Sequence, residues 1–166
     1  MPAKAIIDID GSDAVTSVLL NLLNQFPGLP EGRRVEFATL ADDSGIAFYP
    51  TAGAVLTENR EDILGHVFQV CVYPFDIRYR GAPRSETHRM RFKEFLDTFG
   101  KWLELQPVAI GEQTVKLLEY PELSSGNRKI RSIARTTPGY LNAAYQNGVE
   151  DWVISAVLSY ENEYDK

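Results

Sequence analysis

The chain is short of the residues from which many small active sites are made. Its 166 residues include one cysteine, Cys71, and two histidines, His66 and His88. A single cysteine excludes an internal disulfide, and three Cys/His residues fall short of a four-ligand zinc site. Cys71 sits in the apolar run Val70-Cys71-Val72, where a buried, inert thiol is expected. An intracellular, reducing origin fits. No apolar run approaches the roughly 18 residues of a membrane span. The first residues, MPAKAIIDIDGSD, carry one lysine and break their short apolar run with acids, so they do not read as a secretory signal. There is no phosphate loop, no His-Glu-x-x-His and no Gly-x-Ser-x-Gly. No catalytic residue, metal ligand, cofactor or membrane partner is expected on these grounds.

What remains is an ordinary globular composition. Apolar residues make up 44% and charged residues 24%, and 166 residues suffice for one domain with its own core. The net charge is −6 but unevenly spread. Between Ile77 and Lys93 stand six cations, Arg78, Arg80, Arg84, Arg89, Arg91 and Lys93, against Glu86 alone. Between Gly126 and Thr137 stand Arg128, Lys129, Arg131 and Arg135 with no acid. A basic band in an acidic chain suits phosphates, an acidic patch on a neighbouring copy, or a solvated helix face.

Periodicity divides the chain into a short arm and one α+β domain. Residues 1–11 read as an extended N-terminal arm and 12–166 as the domain. Ser12 or Asp13 caps a helix whose Val15, Leu19, Leu22 and Phe26 recur at helical spacing, until Pro27 ends it. Ser85 caps a second helix to about Gln106, with Phe92, Phe95, Leu96, Phe99, Trp102 and Leu103 on one face. Gly100 inside it marks a kink or a close contact. About six strands, mostly antiparallel, are expected: 33–40, 46–49, 63–79, 114–120, 129–135 and 150–160. The longest changes apolar phase at Pro74, from Phe68, Val70 and Val72 to Phe75, Ile77 and Tyr79, which predicts a bulge or bend there. The segment 138–148 reads as a loop. His66 reads as a strand residue and His88 as solvent-exposed.

Ala5-Ile6-Ile7-Asp8-Ile9-Asp10-Gly11-Ser12 resembles the first motif of haloacid-dehalogenase-type phosphatases, with Asp8 as nucleophile and Asp10 as acid/base. The rest of the chain lacks the strand–helix alternation that family needs. A small soluble adaptor or binding module is a further alternative.

From about Val15 onward the chain resembles the minor capsid and tail-terminator-like, head–tail joining proteins of tailed phages (siphophages). The matching pieces come in order. They are Asn24-Gln25-Phe26-Pro27-Gly28-Leu29, Ala47-Phe48-Tyr49-Pro50-Thr51-Ala52-Gly53, Tyr73-Pro74-Phe75-Asp76-Ile77-Arg78-Tyr79-Arg80, the helix with Phe95, Leu96 and Trp102-Leu103-Glu104, Thr137-Pro138-Gly139-Tyr140-Leu141, and the last strand. The resemblance implies a non-enzymatic virion protein, a hexameric ring that caps the tail tube protein and meets the head connector or head completion protein. Channel DNA would be a passive contact. Its place would be the tail–head junction of the virion, after assembly in the host cytoplasm. The residues expected at subunit or partner interfaces are Tyr73, Pro74, Phe75, Arg78, Arg80, Arg84, Arg89, Arg91, Arg128 and Arg131.

Overall fold

A computed structural model of the chain describes residues 12–52, 55–123 and 127–166. The arm at 1–11, with Asp8 and Asp10, lies outside them. The fold is α+β: two helices lie against one face of a mostly antiparallel seven-stranded sheet.

Helix α1 (Ser12–Leu23) is followed by β1 (Val35–Phe37), β2 (Gly45–Pro50), β3 (Val55–Glu61) and β4 (His66–Gly81). Helix α2 (Glu86–Leu103) leads to the small hairpin β5 (Val108–Ile110) and β6 (Gln113–Val115). Strands β7 (Asn127–Arg135), β8 (Tyr140–Ala144) and β9 (Glu150–Asp165) complete the chain. The main sheet runs β1-β2-β4-β9-β7, with β3 on the β2 side of β4 and β8 on the β7 side of β9. Its spine is the 16-residue ladder between β4 and β9, in register from His66↔Asp165 to Gly81↔Glu150.

That ladder explains the core. On one face it sets Cys71, Tyr73, Phe75 and Ile77 beside Tyr160, Leu158, Ala156 and Ile154, all buried. α2 starts where Ser85 Oγ accepts the His88 N–H at 3.1 Å, and it lays Phe92, Leu96, Phe99 and Trp102 onto this face. α1 adds Val15, Leu19 and Leu22; it ends at Leu23, short of the expected Pro27, and Phe26 in the turn beyond it stacks its ring on Phe99 at 4.3 Å. Each such side chain is worth roughly 1.5–3 kcal/mol on burial. Asn24 fastens α1 to the sheet: its amide donates to Leu20 O and Val35 O at 3.0 Å each, and its Oδ1 accepts Val35 N–H at 2.7 Å.

Several expectations are corrected here. The β4–β9 register passes Pro74 without a bulge, and odd residues from Val67 to Ile77 face the core throughout. Pro74 fits because β4 changes partner there. Its carbonyl accepts Thr51 N–H at 3.0 Å, so its ring nitrogen faces the same edge, between the last β2 residue, Pro50, and the first β3 residue, Val55. No ladder bond is lost to the missing N–H. Phe68, Val70 and Val72 therefore share the opposite face with Arg78 and Arg80. The strand expected from Ile63 begins at His66, and Ile63 lies in the turn after β3, a strand the sequence did not announce. The expected loop at 138–148 contains β8, and the strand at 114–120 shrinks to β6. His88 is half-buried, edge-on to Phe92 at 4.8 Å. Phe95 is only partly buried, against Tyr79. Gly100 marks a close contact: an added Cβ would meet the Arg135 side chain and stand 2.8 Å from Ile154 Cδ1.

Candidate interaction surface

The face of the sheet opposite α1 and α2 is bare of helices among the described residues, although Ala47, Val70 and Val153 on it are buried. Along its middle Val72 and Pro74 of β4 adjoin Ser159 and Val157 of β9, all part-exposed. At one end of this face, antiparallel register sets Arg80 opposite Asp151. The Asp151 side chain is fully buried, and Arg80 grips it with two prongs, Nε to Oδ1 at 2.7 Å and an NH2 donor to Oδ2 at 2.9 Å. Tyr145 Oη donates to the same Oδ2 at 2.9 Å. Arg80 also donates to Ala41 O at 3.1 Å. Arg78 NH1 stands 3.7 Å from Asp151 Oδ2, beyond hydrogen-bond reach, and its guanidinium lies over the Tyr49 ring.

One residue earlier in β9, buried Glu150 accepts Arg89 Nε from α2 at 2.8 Å and faces the Trp152 indole N–H at 3.4 Å. Burial pushes the Asp151 carboxyl up. The hydrogen bonds from Arg80 and Tyr145 and the two guanidinium charges outweigh it, so the group is held below the usual aspartate range. The same carboxylate holds Arg80 above the usual guanidinium value.

The residues singled out from the sequence thus divide. Tyr73 and Phe75 are 1% and 0% exposed and belong to the core, so they present no surface to a partner. Tyr73 Oη meets Thr16 Oγ1 of α1 at 2.8 Å. Arg80 and Arg89 are committed to Asp151 and Glu150. Pro74 and Arg78 are part-exposed on the bare face. Arg84 and Arg91 are exposed and, among the described residues, join no ion pair. Arg128 donates to Asn162 Oδ1 at 2.8 Å, and Arg131 lies 3.6 Å from Glu161. The expected basic band is two clusters. One centres on Asp151 and the other on Asn162, eleven residues further along β9, or about 36 Å at roughly 3.3 Å per residue.

Glu150, Asp151 and Tyr145 were missed as site residues. The signal was two adjacent acids opening an apolar run, since carboxylates so placed are buried only when paired. A cleft of about 200 Å³ lies beside this cluster, where Arg33, Ser44, Tyr79 and Arg80 face His88 and Phe92 of α2. Among the described residues, no three His, Cys, Asp or Glu side chains gather in a metal-holding group. No helix there is long and apolar enough to cross a membrane. Comparison of the chain with protein-family models gives no match, and comparison with curated proteins gives none either.

Proposed function

We propose that the chain is a structural component of a tailed-phage virion, a tail terminator or head–tail joining protein. In this reading it caps the tail tube as a homo-oligomeric ring, hexameric as the resemblance implies, and connects the tube to the head connector or head completion protein. The observation that carries the reading is the bare sheet face. A solvated face of an antiparallel sheet is ordinarily polar. Here Val72, Pro74 and Val157 form an apolar strip with serines beside it and the Arg78–Asp151 cluster at one end. Such a face suits contact with protein.

The segments that carry the resemblance support the same reading. Five of the six fall on β2, β4, α2, β8 and β9, which pack together in one unit, and the segment 24–29 lies in the turn after α1. Of the cations expected at an interface, Arg84 and Arg91 join no ion pair among the described residues and can meet an acidic neighbour without loss of an internal pair. With net charge −6, the chain lets channel DNA pass rather than holding it.

The test has two arms. Native mass spectrometry and negative-stain imaging of the purified chain should show a ring, and adding the chain to extracts that lack it should restore tail–head joining. A monomer that restores no joining overturns the proposal. Arg84→Glu with Arg91→Glu should fold normally and join less well, the more so at low salt.

A further inference from the structure

The hairpin of β3 and β4 projects an apolar tip. Asp62 builds its turn: Oδ1 accepts Leu64 N–H at 2.9 Å and His66 N–H at 3.0 Å, and Gly65 takes φ +83°. The two residues between, Ile63 and Leu64, are 101% and 87% exposed. The hairpin is not a loose loop. Lys166 N–H donates to Gly65 O at 2.9 Å, Lys166 Nζ pairs with Glu61 at 2.9 Å, and His66 meets Asp165 at 2.9 Å. Two large aliphatics are thus held out into solvent by an ordered frame. All of β3 is exposed as well, and its outer edge pairs with no strand among the described residues.

The opposite edge of the sheet is β7. Beside it lies an open groove of about 1050 Å³, with Leu118, Leu123 and Ile130 in its wall and Arg128, Lys129 and Arg131 along the strand. Leu118 is 85% exposed. The groove also holds four acids, of which Glu161 faces Arg131 and Glu163 faces His66.

We propose that the hairpin tip of one copy of this chain seats in the β7 groove of the next, head to tail. The inference deepens the ring reading above and rests on it for the partner, a second copy. Three relationships support it. The tip is apolar, and the groove exposes Leu118 for it to meet. The segment from Val55 to Gly65 carries Glu58, Glu61 and Asp62 against Arg60, and the β7 side of the groove carries Arg128, Lys129 and Arg131, while Glu119 and Glu122 line its other side. Strand directions also agree. β3, β4, β9 and β7 alternate, so a neighbour placed beside β7 in the same orientation brings its β3 antiparallel to that strand. In that arrangement its tip lies near the start of β7, where the groove is. A contact between different edges is heterologous and can close into a ring.

The test is disulfide trapping between single-cysteine additions, with native mass measured in parallel. Native Cys71 is buried and stays out of the reaction. Leu64→Cys mixed with Leu118→Cys should give a covalent dimer absent from either variant alone, and the double variant should give a ladder. Ile63→Ser with Leu64→Ser should weaken self-association about 100-fold, each buried aliphatic being worth at least a factor of ten. An oligomeric wild type with no mixed dimer removes this contact and leaves the ring. A mixed dimer from a monomeric wild type keeps the contact and removes the ring. Leu64→Cys dimers with no mixed product would set tip against tip and overturn the inference.

Discussion

Arg80 and Asp151 close a two-pronged ion pair, at 2.7 and 2.9 Å, across the central ladder, with the carboxylate buried and Tyr145 closing its remaining side. Seventy-one positions apart in the chain, they tie the end of β4 to the start of β9. A buried carboxylate stripped of its main partner is strongly destabilising, because its desolvation is no longer compensated. Arg80→Ala is expected to cost about 3–5 kcal/mol in urea unfolding. Arg80→Lys recovers only part of this, since an ammonium cannot make both prongs. Loss below about 1 kcal/mol would show that water reaches Asp151.

The same pair sets an acid limit. The Asp151 carboxyl titrates below its unfolded value of about 3.9. Asp97 does too: burial pushes it up, while the Gly139 N–H at 2.7 Å and the Lys93 ammonium at 2.6 Å hold it down. A depressed folded pKa adds stability that is present above the unfolded value and is lost as pH falls through the folded one. Stability should therefore be flat above about pH 5 with respect to these groups and fall steeply below about pH 4. Asp151→Asn should be less stable at pH 7 and show a shallower fall in acid-titrated urea melts. An unchanged slope would remove Asp151 from acid unfolding.

Gly100 gives a prediction against propensity. Alanine in a helix interior gains about 1 kcal/mol over glycine. At this position its Cβ would press on Arg135, which Glu104 holds at 2.8 Å, and on Ile154 in the core. Overpacking of this kind costs about 1–3 kcal/mol. Gly100→Ala is expected to lower the thermal midpoint, and a raised midpoint would show that Arg135 moves aside freely.

Asn24 should be more important to stability than its place at a helix end suggests. Its side chain makes three bonds, two of them to the Val35 backbone. Asn24→Ala leaves Val35 N–H and C=O part-buried without this partner, at about 1–3 kcal/mol. Hydrogen exchange should quicken at Val35 before it quickens in β4 or β9. Uniform acceleration across the sheet would mean that α1 and β1 do not open separately.

The two helices and the central strands were legible in the sequence because each buries one face far more fully than the other. Phe92, Leu96, Phe99 and Trp102 repeat at the helical period, and Trp152 to Tyr160 alternate at the strand period, so pattern and burial agree. β3 was not legible, since Val55–Glu61 is exposed on both faces and owes its conformation to pairing with β4. β4 misled for the opposite reason: apolar Phe68, Val70 and Val72 occupy the face away from the helices, where Val70 is buried as well, so their pattern imitates a phase change that the ladder does not contain. Tertiary structure alone decided where the charges act. The sequence shows two runs of cations, six at 77–93 and four at 126–137, but only the fold shows that it spends Arg80, Arg89 and Arg135 on Asp151, Glu150 and Glu104. Composition and periodicity determine which residues can be buried. Which acid meets which base depends on strand order and register, and those are set by contacts between residues far apart in the sequence.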